Sequence, residues 1–281
     1  MTFRACSAII DSLPGLCEGP AMIQFATAKD GVRLAFETVG EGQPIVLVHG
    51  FGSSAAQNWR DTGWYKMLND AGFAVTAMDC RGHGESDKPH TTPGYGHDEM
   101  AEDVIAVMNA AGHSSAFVMG YSMGGFITIQ LLIKHPGRVK KLIVGGVGAS
   151  YLESAENSRD RVADPKVRNL IAEAMLAENP STITNPTARS FRAFADQPGK
   201  DRFALAACMR APTKNLPKEV LHHSTRPVLV VCGEKDELTG GPDALAAAFA
   251  DGRAVTVPRR DHMTAVGDKV YKEAVLQFLA S

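Results

Sequence analysis

The 281-residue sequence predicts an α/β fold, a mostly parallel eight-stranded sheet with helices on both faces and a helical cap inserted into it. Three observations lead there. Short, continuously apolar, β-branched runs recur along the chain, which suits strands buried on both faces. Stretches long enough for helices separate them, the alternation that builds a parallel sheet. One long segment breaks the rhythm with helical patterning and no run of the buried-strand kind.

Ile23 to Ala28 and Val32 to Val39 flank the turn signal Asp30-Gly31, and so form an antiparallel hairpin at the sheet edge. The later strands fall at Pro44 to Val48, Phe73 to Met78, Ala116 to Met119, Leu142 to Val144, Pro227 to Val231 and Ala254 to Val257. Helices fit around Thr62 to Ala71, His97 to Ala111, Met123 to His135 and Pro242 to Ala250, with a last one from Lys269 to Leu279. Gly72, Gly112 and Gly137 stand where helix ends want glycine. The interrupting segment divides the chain into an N-terminal extension over 1–21, a core over 22–150 and 217–281, and a cap over 151–216. Met22 opens a strand-like stretch, so the residues before it read as a loosely ordered extension or the result of an upstream start codon.

This length allows one compact unit with a modest insertion and is too short for two full enzymatic domains. A formal net charge of -2 gives no broad attraction toward nucleic acid or anionic lipid. No run approaches the ~20 apolar residues that span a bilayer, and Arg4, Asp11, Pro14 and Glu18 spoil the N-terminus as a secretory signal. Cys6, Cys17, Cys80, Cys208 and Cys232 are odd in number and scattered, with no metal-ligand spacing, which points to a reduced, cytoplasmic protein with no metal site. Cys232, inside an apolar run, reads as a buried small hydrophobe. Apolar patches that would join subunits cannot be told from cap–core contacts, so the oligomeric state stays open.

Ala116 to Met119 runs at once into Gly120-Tyr121-Ser122-Met123-Gly124-Gly125 and then a helix. G-x-S-x-G carries meaning in that setting. A sharp strand-to-helix turn strains the serine and pushes it out at the carboxyl end of the sheet, while Gly120 and Gly124 let neighbouring chain approach. The helix starting at Met123 presents unpaired N–H groups that favour developing negative charge. A serine hydroxyl is nearly un-ionised at neutral pH, so it needs an imidazole in hydrogen-bond reach, and that imidazole needs an acceptor to fix its tautomer. Nine histidines compete for the part.

With the runs Ile45 to Gly52, Asp79 to Ser86, Val228 to Asp236 and Ala254 to His262 beside this elbow, the sequence from Met22 onward, cap excepted, resembles the α/β-hydrolase superfamily. The resemblance implies a chain order of serine, acid, histidine. It selects His262, in the loop after Ala254 to Val257, as general base, since His222 and His223 precede the strand that carries the acid. Asp236, after Val228 to Gly233, becomes the orienting acid, with Glu234 and Glu237 as competitors and Asp261 expected to point away. The loop His49-Gly50-Phe51-Gly52 corresponds to the oxyanion loop, so Phe51 and Met123 are expected to offer backbone N–H groups to the substrate oxygen. His49, before Gly50, is expected to prop the loop, and Asp79 to Ser86 resembles the family's D-x-R-G-x-G-x-S, with Asp79 and His83 structural. Gly50, Tyr121 and Met263 are expected to line the substrate pocket.

The resemblance further implies a serine hydrolase with Ser122 as nucleophile, no cofactor and no metal, cleaving a carboxylic ester of a small or medium acyl substrate through an acyl-enzyme. The serine argues against haloalkane dehalogenases and epoxide hydrolases, which use aspartate at the elbow. Carbon–carbon bond hydrolases often show G-N-S-M-G-G and tryptophan after the histidine, where this chain has Tyr121 and Met263. Perhydrolases often show H-G-x-P, where Gly52 replaces proline although Trp59 is compatible, and proline iminopeptidases carry tryptophan where Met123 stands. A carbon–carbon hydrolase, lactonase, perhydrolase or acyltransferase using the same triad, or a non-catalytic ligand-binding relative, are the alternatives. In the cap, Leu170, Met175, Leu176, Phe191, Phe194, Phe203, Leu205 and Met209 could roof a pocket or merely glue cap to core. Arg189, Arg192, Arg202 and Arg210 are expected to be solvated.

Overall fold

The computed structural model describes residues 22–152, 164–213 and 215–281, so the expectations for 1–21, Cys6 and Cys17 lie outside the described residues. Its eight strands are β1 (Gln24–Thr27), β2 (Arg33–Val39), β3 (Gln43–Val48), β4 (Phe73–Met78), β5 (Ala116–Tyr121), β6 (Val139–Gly145), β7 (Val228–Gly233) and β8 (Gly252–Val257). They form one sheet in the order β1-β2-β4-β3-β5-β6-β7-β8. β1 with β2 and β2 with β4 pair antiparallel, and every later neighbour is parallel.

The buried stretches of the central strands, such as Ile45 to Val48, Leu142 to Val144 and Val228 to Val231, are continuously apolar because they feed two cores at once. Val46, Val48, Val118, Val144 and Val230 face a core shared with α2 (His97–Ala110), α3 (Met123–Lys134) and α8 (Asp243–Ala246). Their neighbours Ile45, Leu47, Phe117, Met119, Ile143, Leu229 and Val231 face the opposite core, shared with α1 (Trp64–Asp70) and α9 (Lys269–Ala280). A sheet covered on both faces leaves only its ends open, and all the parallel strands run their carboxyl ends to the same one.

Between β6 and β7 the described residues hold α4 (Pro165–Leu176), α5 (Pro186–Ala195), α6 (Arg202–Arg210) and α7 (Lys218–His222), and no strand. The first three start on side-chain caps that satisfy free N–H groups, Asp164, Asn185 and Asp201, two of them followed by a proline at the first helical position. Ile171, Met175, Ala188, Leu205 and Met209 give α4, α5 and α6 a core cluster of their own. Leu170 and Phe203 stay exposed, whereas Arg192 is buried, giving its guanidinium to Asp196 and to the carbonyls of Ala174 and Ala177. The expectation that Arg192 is solvated is thereby corrected.

Three local expectations differ from the structure. The helix expected over Pro242 to Ala250 is the short α8, after which the chain tightens into three-residue turns, Ala248 N–H donating to the Leu245 carbonyl and Phe249 N–H to that of Ala246. Gly72 and Gly112 are left-handed, but Gly137 is not, since Pro136 already takes His135 out of helical geometry at φ -132° and ψ 56°. A π-helical turn over Ala56–Arg60, unforeseen, precedes α1.

The loop after β4 is bolted by a buried ion pair. Arg81 gives Nε and Nη2 to Asp103 of α2 at 2.7 and 2.6 Å, with the two side chains 3% and 2% exposed, and Nη1 to Asp30 of the hairpin at 2.6 Å. Removing one partner strands a buried charge, so Arg81→Met is expected to cost about 3–5 kcal/mol, read as a lower urea midpoint. Lys269→Ala, which breaks an exposed pair with Glu273, is expected to leave the midpoint where it is. Equal midpoints for Arg81→Met and the parent protein would contradict this account of the loop.

Candidate active site

At the carboxyl end of β5 the chain turns straight into α3 through Ser122, whose φ of 51° and ψ of -117° lie outside the regions ordinary side chains prefer. Such backbone costs on the order of 1–3 kcal/mol and persists only where its surroundings fix it. Here they do. The Ser122 N–H donates to the Gly145 carbonyl at 2.8 Å, and the Ser122 carbonyl accepts from Gly125 and Phe126. A Cβ on Gly124 would stand 2.1 Å from the Val48 carbonyl oxygen, and one on Gly120 2.2 Å from that of Gly124. The motif's two glycines are therefore demanded by backbone contact, which no side chain could relieve by moving.

β7 and β8 bring two more side chains to Ser122. His262 Nε2 lies 2.9 Å from the serine Oγ, and His262 Nδ1 lies 2.8 Å from Asp236 Oδ2. A carboxylate only accepts, so Nδ1 carries the proton and Nε2 is left to accept from the serine. Burial pushes the Asp236 carboxyl up, but the hydrogen bond and charge of His262 and the Thr239 N–H outweigh it and hold the group below its ordinary range. Asp236 stays ionised against the imidazole. Its other oxygen accepts from the N–H groups of Leu238 and Thr239.

The competitors stand elsewhere. Glu234 is exposed and accepts from the Arg259 N–H, and Glu237 is exposed. Asp261 spends its carboxylate on the N–H groups of Met263 and Thr264 and on the Thr264 hydroxyl. His222 and His223 are exposed on and just after α7. His49 uses both ring nitrogens, accepting at Nε2 from the Cys80 N–H and so donating from Nδ1 to the Gly50 carbonyl. Burial drives its pKa down despite the nearby Asp79 charge.

The loop after β3 lies against this turn. A Cβ on Gly50 would be 3.4 Å from the Ser122 Cβ, and the Gly50 N–H is held by Asn58 Oδ1 at 3.0 Å. Among the described residues the N–H groups of Phe51 and Met123 have no acceptor. Asn58 was missed in the sequence; its one signal is a polar residue just before a tryptophan in a stretch that here coils as a π turn. Asp79 holds the same region, accepting from Ala55 at 2.7 Å and Glu85 at 2.8 Å.

Tyr121 departs from expectation. It does not face a substrate pocket: its ring belongs to the core on the α1 and α9 side, and its hydroxyl donates to the His262 carbonyl at 2.5 Å. Met263 is 67% exposed rather than enclosed, and of these three Gly50 faces the serine side chain across the gap between the loop after β3 and the turn. Helices of the insertion close over the loop, with the Phe191 ring 6.0 Å from that of Phe51 and Cys208 Sγ 3.8 Å from Met123 Sδ. Cys80, Cys208 and Cys232 are free and buried, and burial raises the pKa of each thiol, that of Cys208 to about 12. Among the described residues no group of three or more His, Cys, Asp or Glu side chains could hold a metal, and no helix is long and apolar enough to cross a membrane.

Two predictions follow from this geometry. Gly124→Ala is expected to force the elbow off the Val48 carbonyl and to lose most activity, with a lower melting temperature; a fully active variant would show that the contact is not needed. The second concerns acid. Burial drives His83 down to about 3 and His97 to about 4. The unfolded chain then takes those protons first, so stability present above about pH 6.5 is lost as pH falls toward 3. His83 alone should remove roughly 2 kcal/mol between pH 7 and pH 5. Urea midpoints should fall accordingly and fall less in His83→Phe; parallel pH curves for the two proteins would refute this.

Comparison with known proteins places this arrangement among relatives. Residues 43–173 match a family described by its alpha/beta hydrolase fold. The chain is 30% identical over 167 residues to the AB hydrolase superfamily protein YisY of Bacillus subtilis strain 168, covering 58% of this chain and 59% of that one. It spans 20 to 59% of the length of the first three curated relatives it matches. A hydrolase from Pseudomonas aeruginosa PA01 superposes with a TM-score of 0.72 at 24% identity, over 94% of this chain and all of that one. A thermophilic esterase from Thermogutta terrifontis does so with a TM-score of 0.68 at 26% identity, over 92% and 98%.

Proposed function

The chain belongs to the α/β-hydrolase fold superfamily, and from that premise we propose that it is a serine hydrolase cleaving a carboxylic ester of a small or medium acyl group. One observation carries the reading: a single imidazole stands 2.9 Å from a strained serine hydroxyl and 2.8 Å from a buried carboxylate. The likeness to an esterase at 26% identity supports the choice of ester.

In this reading Ser122 Oγ attacks the ester carbonyl as its proton passes to His262 Nε2. Negative charge gathers on the carbonyl oxygen, where the N–H groups of Phe51 and Met123, free of other acceptors, would receive it. Each such donor is worth about 3 kcal/mol in the transition state. Collapse expels the alcohol, protonated by His262, and leaves an acyl-serine. Water, deprotonated by the same imidazole, attacks the acyl carbon and releases the carboxylic acid. Asp236 keeps the imidazole in the tautomer that can accept, and its charge steadies the imidazolium while it lasts. The helical insertion acts as a cap over residues 151–216, and its contacts with Phe51 and Met123 support that assignment.

The test is turnover of p-nitrophenyl acetate and butyrate by the parent protein, Ser122→Ala and Asp236→Asn. Ser122→Ala should lose at least ~10⁴-fold in kcat and Asp236→Asn about 10⁴-fold. Equal rates for the parent and Ser122→Ala would defeat the proposal, and stoichiometric labelling of Ser122 by a fluorophosphonate without repeated turnover would favour a ligand-binding protein instead.

A further inference from the structure

We propose that Tyr121 is a positioning residue for the base, its phenolic O–H gripping the main-chain carbonyl of His262 and so fixing where the imidazole stands relative to Ser122. The proposal rests on the triad reading above and adds to it a fourth side chain.

The contact is short and one-directional. Tyr121 Oη lies 2.5 Å from the His262 carbonyl oxygen, and a carbonyl can only accept, so the phenol donates. Burial, reinforced by the Asp236 charge, pushes the phenol far above its ordinary range, and the donor keeps its proton at any working pH. Among the described residues no other donor reaches that carbonyl.

The surroundings are shaped for the pair. A Cβ on Gly146, at φ 60°, would stand 2.9 Å from the Tyr121 Cζ and 3.1 Å from the His262 Cε1, and one on Gly145 would stand 2.7 Å from the Tyr121 Cδ2. These two bare positions leave the slot in which tyrosine passes beneath histidine, their ring centroids 5.6 Å apart. Tyr271 backs the phenol from α9, at 6.3 Å between centroids.

A second observation points the same way. Residues 258–264 are exposed except for His262. An exposed loop offers little packing to hold one buried residue, and Asp236 constrains the ring from its far nitrogen only. The phenol supplies the missing main-chain anchor. Because Tyr121 ends β5 and Ser122 follows it directly, one stretch of backbone places the nucleophile and, through a side chain, the base. A misplacement of about 1 Å in such a pair can cost on the order of 10²-fold.

The experiment compares steady-state kinetics on p-nitrophenyl butyrate for the parent, Tyr121→Phe, Asp236→Asn, the double variant and Ser122→Ala. Tyr121→Phe keeps the ring and removes the donor; kcat should fall roughly 10-fold or more with KM within about twofold. In the double variant the two losses should combine to less than their product, because both act on one imidazole. Tyr271→Phe, which keeps the ring and removes a buried hydroxyl that has no hydrogen-bond partner among the described residues, should leave kcat unchanged. Replacing Tyr121 with 3-fluorotyrosine, which retains ring and hydroxyl, should preserve parental kcat even if Tyr121→Phe proves unstable. Full kcat in Tyr121→Phe, a loss confined to KM, losses that multiply independently, or an equal loss with 3-fluorotyrosine would each overturn the proposal while a dead Ser122→Ala left the triad standing. Parental turnover in Ser122→Ala would sink both.

Discussion

A serine held at φ 51° and ψ -117° is unfavourable by itself, and the turn survives because β3, β5, β6 and α3 crowd it from all sides. The Val48 and Gly124 carbonyls leave no room for a Cβ at Gly124 or Gly120, and the Gly145 carbonyl takes the serine N–H. Relaxing the serine would mean parting central strands of the sheet. The strain thus sits where the central strands and α3 pack most closely against the turn.

That dependence explains what could be read from the amino-acid pattern and what could not. The central strands were legible because both of their faces are buried, so no polar residue interrupts Ile45 to Val48 or Val228 to Val231. The elbow was legible because backbone crowding admits only glycine at two fixed offsets from the serine. Choosing Asp236 and His262 needed the chain order that the resemblance implies as well, since Glu234 and Glu237 carry a carboxylate within two residues of Asp236 and differ in where the loop turns them, and eight other histidines share the chemistry of His262. Tyr121 was misread although its face was available from strand alternation. Phe117 and Met119 point to the α1 and α9 core, so a residue two further on points there too. The end of α8 left no mark in the pattern, because the apolar residues Ala247 to Phe249 that follow it suit a tight turn as well as a helix.

Phe51 and Met123, whose N–H groups find no acceptor among the described residues, carry a second connection. Phe51 and Met123 turn their side chains toward the helical insertion, where Phe191 and Cys208 meet them. The Phe194 ring also fills the place a side chain on Gly52 would take, 2.3 Å from its Cβ position. Donor geometry in the loop after β3 is therefore set from below by Asn58 and His49 and from above by α5 and α6. The insertion touches both residues whose amides the proposed function uses.

Histidine distribution closes the argument about which group can move a proton. His49 has one nitrogen accepting from a main-chain N–H and the other donating to a carbonyl. His83 donates from Nδ1 to the Arg81 carbonyl, and its Nε2 is sealed from solvent without a partner. Neither can gain a proton without burying a charge, which is why burial drives both down in pKa. His262 differs in kind, since its Nδ1 faces the buried Asp236 carboxylate at 2.8 Å and its Nε2 the Ser122 hydroxyl at 2.9 Å. Of the three histidines near these loops, His262 is the one whose ring bridges a serine hydroxyl and a buried carboxylate, which is the arrangement the proposed chemistry requires.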